Sequence, residues 1–107
     1  MIVNGDTKAV KLTSTSVTSI IPAQTSNVAI TEITVAEITG NATTFSMELY
    51  NGTTSYYLAA VKPLAARQVL QYEINPITGL VLRKGWLLRA TAGNADRVDV
   101  TAVHTQP

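Results

Sequence analysis

The 107-residue chain contains no cysteine and a single histidine, His104. Without thiols there is no disulfide scaffold, no zinc–thiolate site and no thiol nucleophile. One imidazole cannot build a multi-histidine metal site. Charge is scarce too. Asp, Glu, Lys and Arg make up 14% of the residues and the formal net charge is +1. A nucleic-acid binder resting on phosphate contacts shows a basic excess or stripe, so nucleic acid is disfavoured as a partner. Long apolar runs are missing. The longest, such as Leu58 to Val61 and Leu80 to Leu82, fall far short of a membrane span. The start of the chain has neither the basic stretch nor the apolar run of a signal peptide, so synthesis and retention in a cytoplasm are expected. The six glycines stand singly at 5, 40, 52, 79, 85 and 93, which is turn punctuation and not a phosphate-cradling loop. No Gly-x-Ser-x-Gly elbow occurs.

What the chain has in abundance is β-branched residues. Thr, Val and Ile together supply 35 of 107 positions, a strong bias toward strands. Hydrophobic residues reach 46%, enough at this low charge to exclude disorder. The length suits one domain, residues 1–107, with a loose N-terminal arm expected over residues 1–8 and a short tail ending at Pro107.

The clearest local signal is Asn51-Gly52, the dipeptide a two-residue type I′ hairpin prefers. That loop pairs Tyr50 with Thr53, Leu49 with Thr54, Met47 with Tyr56 and Phe45 with Leu58. Phe45, Met47, Leu49, Tyr56 and Leu58 then share the inner face, and Tyr50 and Tyr57 the outer one. Val28 to Ile38 carries apolar residues at 28, 30, 33, 35 and 38, an uneven spacing that predicts a bulge or bend. Val10 and Leu12, then Leu70, Tyr72 and Ile74, then Trp86, Leu88 and Ala90, then Val98, Val100 and Ala102 each alternate as half-buried strands do. Lys62 to Arg67 is read as a connection, and Pro76 and Gly79 bracket a turn. About eight short strands at such spacing predict an all-β fold: a single antiparallel β-sandwich, jelly-roll-like.

Candidate chemistry is thin. His104 sits near the C-terminus and is read as an exposed or rim residue. Glu48 and Glu73 lie on outward positions of separate strands and could face each other. Asn94, Asp96 and Asp99 resemble a calcium loop in composition but lack its ordered ligand spacing. Neither a catalytic residue nor a metal or cofactor site is assigned, and no enzyme is expected. Arg83, Arg89 and Arg97 fall on outward positions of three successive strands and could form a stripe, with Arg89 paired to Asp99 across strands. Tyrosine and arginine are favoured at protein interfaces, so Tyr50, Tyr57, Arg83 and Arg89 are the candidate interface residues. Few lysines guard the sheet edges, which hints at self-association or docking onto a larger assembly.

The succession of an apolar β run closed by Gly40-Asn41-Ala42, the Asn51-Gly52 hairpin, Gly79 to Leu82 with the Lys84-Gly85 turn, Trp86 to Ala90, and Val98-Asp99-Val100 resembles the small β-sandwich virion proteins of tailed bacteriophages, above all capsid decoration (cement) proteins. The resemblance covers roughly residues 28–103. It implies a non-enzymatic structural role in the virion, assembly in the host cytoplasm, and partnership with the major capsid protein or another virion protein. It also implies a homo-oligomer, with a trimer favoured. A neck, tail or fibre component is the alternative within that setting, and a carbohydrate-binding module the alternative outside it.

Overall fold

The computed structural model describes residues 5–74 and 80–105. Nine strands run through them: β1 (Gly5–Leu12), β2 (Thr18–Ile21), β3 (Val28–Glu37), β4 (Thr43–Tyr50), β5 (Ser55–Leu64), β6 (Val69–Glu73), β7 (Leu80–Leu82), β8 (Leu87–Ala92) and β9 (Val98–Thr105). They form two antiparallel sheets. One has the order β1-β9-β3-β6, with β7 also on β3, and the other the order β2-β8-β4-β5. β6 pairs with Glu32 to Ala36 and β7 with Val28 to Ile30 of the same strand. The two short strands therefore lie end to end and act as one interrupted strand. Counted that way there are two four-stranded sheets, and most connections cross from one sheet to the other. This is the jelly-roll form of the sandwich, as the sequence predicted.

Alternation builds the core. Val98, Val100 and Ala102 of β9, Leu88, Ala90 and Ala92 of β8, and Val28, Ile30, Ile33 and Val35 of β3 all point inward and are buried. Each such aliphatic side chain contributes roughly 1.5–3 kcal/mol by leaving water. The uneven spacing in β3 is resolved by one bulge. Pairing with β9 slips between Ile30 and Glu32, so the inward set continues as 33, 35 and 37. Glu37, not Ile38, occupies the last inward position.

Other expectations are corrected. β1 begins at Gly5, and residues 5–8 of the expected arm pair with Thr105 to Ala102. Residues 1–4, the turn between Pro76 and Gly79, and the end of the tail lie outside the described residues. The hairpin loop has four residues, not two, because Tyr50 pairs with Ser55. The Asn51 carboxamide oxygen decides this: it accepts from the Thr53 N–H (2.9 Å), the Thr54 N–H (2.7 Å) and the Thr53 hydroxyl (3.1 Å). An Asx turn of this kind competes with the tighter hairpin. The register of β5 on β4 then slips twice more, so Met47 meets Ala59 and Phe45 meets Lys62. The strand runs on to Leu64, through Lys62 and Pro63, where a connection was expected.

Candidate functional site

The candidate interface residues divide between sheets. β4 and β8 present Glu48, Tyr50 and Arg89 on the outer face of the second sheet, with Tyr57 directly opposite Glu48 on β5. The Arg89 guanidinium lies 3.7 Å from the centroid of the Tyr50 ring. Its Nη2 is 3.2 Å from Glu48 Oε1 and 3.4 Å from Ser55 Oγ. The Tyr50 hydroxyl donates to the Gly52 carbonyl at 2.8 Å. Glu48 is buried beneath this cover, a costly place for a carboxylate without a partner. Tyr57 is 61% exposed beside the cluster. Three of the four candidates thus share one face.

Arg83 does not join them. It follows β7 in the first sheet and is exposed. Arg97 lies just before β9, again in the first sheet, and donates to the Ala42 carbonyl at 3.2 Å. The expected arginine stripe is therefore absent, because successive strands in a jelly roll alternate between sheets. The expected Arg89–Asp99 pair fails for the same reason, and Asp99 is held by Lys11 at 2.9 Å. Glu48 and Glu73 are likewise on different sheets: Glu73 stands opposite Glu32. Asn94 accepts from the Thr43 hydroxyl at 2.8 Å. Among the described residues no three His, Asp or Glu side chains come together in a metal-binding group.

Two polar residues are placed against expectation. His104 is 1% exposed, not a rim residue. It continues the inward series 98, 100, 102 of β9, a parity the sequence already displayed. Its Nε2 is 3.8 Å from Asp6 Oδ2, a long contact. Glu37 was not singled out at all, yet it organises two loops. Its carboxylate accepts from the N–H groups of Thr39 (2.8 Å), Gly40 (2.7 Å), Asn41 (3.0 Å) and Arg67 (3.0 Å), and from the Thr39 hydroxyl (2.7 Å). Burial pushes its pKa up. The donors, led by the Arg67 and Thr39 N–H groups, pull harder and bring it from 4.5 to about 2. The signal available in the sequence was Glu at an inward parity followed by Thr-Gly-Asn.

A groove lies elsewhere, along the edge where β5 and β6 close the sandwich. It opens between the sheets with a volume of about 430 Å³. Core residues Ile33, Phe45 and Met47 form its floor, and Leu58, Tyr72 and Leu80 are among its walls. The exposed large apolar side chains concentrate on the three short or edge strands β5, β6 and β7. Among the described residues, Tyr56, Tyr57, Leu58 and Val61 on β5, Val69 and Tyr72 on β6, and Val81 on β7 account for all of them except Val17. Tyr56, expected inward, is half exposed and stacks on Trp86 with centroids 5.7 Å apart. Trp86, expected in the core, is only partly buried against it. No burial pattern in the sequence could have revealed this edge, because it depends on what lies beside β5 and β6 and not on their alternation.

Fold and edge together define a jelly-roll β-sandwich with one open apolar edge. No protein family model matches the chain, and no curated protein matches it. Several solved structures follow a similar chain path. A pentameric capsid protein isolated from metagenomic phage sequences has a TM-score of 0.49 at 19% identity, over 96% of this chain and 60% of that one. The tobacco streak virus coat protein dimer has 0.46 at 11%, over 97% and 87%. The cyanophage Pam1 capsid has 0.45 at 11%, over 98% and 85%. The chain thus spans about 60% of the length of the first of these.

Proposed function

We propose that the chain is a non-enzymatic structural protein of a virion, of the decoration or cement kind, which stabilises a shell by binding across joints between capsid subunits. The observation that carries the reading is the open apolar edge. Seven large exposed apolar side chains lie on β5, β6 and β7, and an exposed apolar concentration of that kind marks protein–protein surfaces. Jelly rolls serve in viral capsids and also in lectins and cupins, so the fold alone does not decide. The partners in this reading are the major capsid protein or another virion protein, together with further copies of the chain. Tyr50, Tyr57, Arg83 and Arg89 remain the proposed contacts on the flanking surfaces.

The test is mass spectrometry of purified virions with copy-number quantitation, paired with thermal release of the genome. The expected result is a multi-copy component whose omission lowers the release temperature. A copy number of about a dozen or fewer points instead to a neck or tail ring. Absence from virions, together with sugar binding on a glycan array, overturns the reading in favour of a carbohydrate-binding module.

A further inference from the structure

We infer that the open edge is the contact between two copies of this chain, packed edge to edge about a two-fold axis. The inference deepens the self-association part of the reading above. It does not depend on which virion component the chain is, or on its being a virion protein.

Three observations carry it. The first is the apolar groove itself, floored by Phe45 and Met47 and walled by exposed Leu58 and Tyr72, with exposed Val61 further along β5. A lone soluble domain rarely leaves its core open at one side.

The second is charge. β5 carries one charged residue, Lys62, and among the described residues no carboxylate lies within ion-pair distance of it. β6 carries one charged residue, Glu73, whose strand neighbour is Glu32. Like charges directly opposite one another are unfavourable. Glu32 is partly quieted by the Gln71 amide at 2.9 Å, but among the described residues neither carboxylate has a cation. One edge thus holds an unpaired cation on one strand and a crowded anion on the other. A two-fold axis lays β5 of one copy beside β6 of its mate. Each Lys62 then meets the Glu73 side of the other copy. Isologous contacts require this kind of self-complementarity.

The third observation is strain. Val61 is 69% exposed and has φ of 46°. A β-branched residue in left-handed backbone is uncommon and costs stability. Its N–H is satisfied by the Ser46 hydroxyl at 2.8 Å, so the bulge is built, not frayed. The bulge also interrupts the outer edge of β5, which disfavours one continuous sheet through both copies. The contact is therefore made by side chains, with the apolar fringe of each copy covering the groove of the other.

The experiment is sedimentation equilibrium and light scattering on the full chain and four variants: Val61→Asp, Lys62→Glu, Glu73→Lys and the double reversal. Far-UV circular dichroism and thermal melts check the fold of each. The wild type is expected to form dimers or other even-numbered species. Val61→Asp dissociates them. Each single reversal sets like charges together twice per dimer and weakens association by ~10-fold or more. The double reversal restores it. A wild type that stays monomeric at ~100 μM, far above the range of a standard-size interface, overturns the inference. So does a discrete trimer, the form the sequence reading favoured, or a double reversal no tighter than the singles. Even-numbered association with no chain in virions leaves this inference standing and removes the virion reading.

Discussion

The two edges of the sandwich are finished in opposite ways. At one edge β1 and β2 turn their large apolar residues inward: Leu12, Ile20 and Ile21 are buried and Val10 is partly so. The edge strand β1 carries charge, with Lys8 on Asp6 at 3.0 Å and Lys11 on Asp99 of β9 at 2.9 Å. At the other edge, among the ten residues of β5 only Leu64 is buried, and no residue of β6 is. Its apolar side chains face water and its strand carries a strained bulge. Natural sheets blunt their edges with lysine and inward packing. This chain does so once and omits it once. The difference separates an edge shaped for the monomer from an edge shaped for a partner.

The largest way to sharpen that contrast is truncation on each side. Leu12→Ala empties a fully buried site and should cost ~2–5 kcal/mol. Leu58→Ala at the open groove should cost the isolated chain under ~1 kcal/mol, as exposed substitutions do. Urea denaturation at concentrations low enough to keep the chain monomeric reads both. Equal losses at the two sites would mean that the open edge is part of the fold's own stability, and the contrast would collapse.

The next effect concerns the polar anchor of the open edge. Glu37 ties the Arg67 N–H of the β5–β6 connection to the turn after β3. Its pKa is lowered in the folded state, to about 2 from 4.5. A depressed carboxylate stabilises the fold fully above its unfolded value and loses that contribution as pH falls through the folded one. Stability should therefore fall between about pH 4.5 and 2, beyond what the other carboxylates supply. In Glu37→Gln that part of the slope should vanish, with lower stability at neutral pH. Denaturation midpoints at stepped pH values decide it: a wild-type slope retained in the variant assigns the acid sensitivity elsewhere.

These placements show what was legible in the sequence. Strand parity gave the inward sets of β8 and β9 and, up to Val35, of β3, and the uneven spacing gave a bulge in β3, because alternation is a local property. The same parity, followed one step further, would have found His104. The jelly roll followed from strand number and turn spacing. Partnership did not follow. Arg83, Arg89 and Arg97 read as a stripe on paper and are split between sheets, since sequence neighbours are not sheet neighbours here. The Asn51-Gly52 turn misled because the Asn51 side chain, not the backbone preference of the pair, chose the loop. The Tyr50–Arg89–Glu48 cluster was half visible: its members were chosen for residue type, but their contact needed β4 beside β8.

A smaller effect tests whether the strain at Val61 serves the edge. Val61→Asn suits left-handed backbone better and should stabilise the monomer by ~0.5–1 kcal/mol. It also removes an apolar side chain that is 69% exposed. The monomer should gain while self-association weakens. A variant that gains stability and associates as before would mean that Val61 contributes nothing to the contact.

The smallest effect is expected at the guarded edge. Lys8 and Lys11 make solvent-screened pairs, each worth ~0–1 kcal/mol. Lys8→Val and Lys11→Val together should leave monomer stability within ~1 kcal/mol of the parent. Their consequence should appear in association instead. With its lysines gone, β1 offers a less guarded strand edge, and the chain should form higher oligomers or aggregate through both edges. Light scattering against concentration measures this. If the doubly substituted chain stops at the same species as the wild type, the lysines do not guard the edge. The closed side would then owe its inertness to the burial of Leu12, Ile20 and Ile21, and the contrast between the edges would rest on packing, not charge.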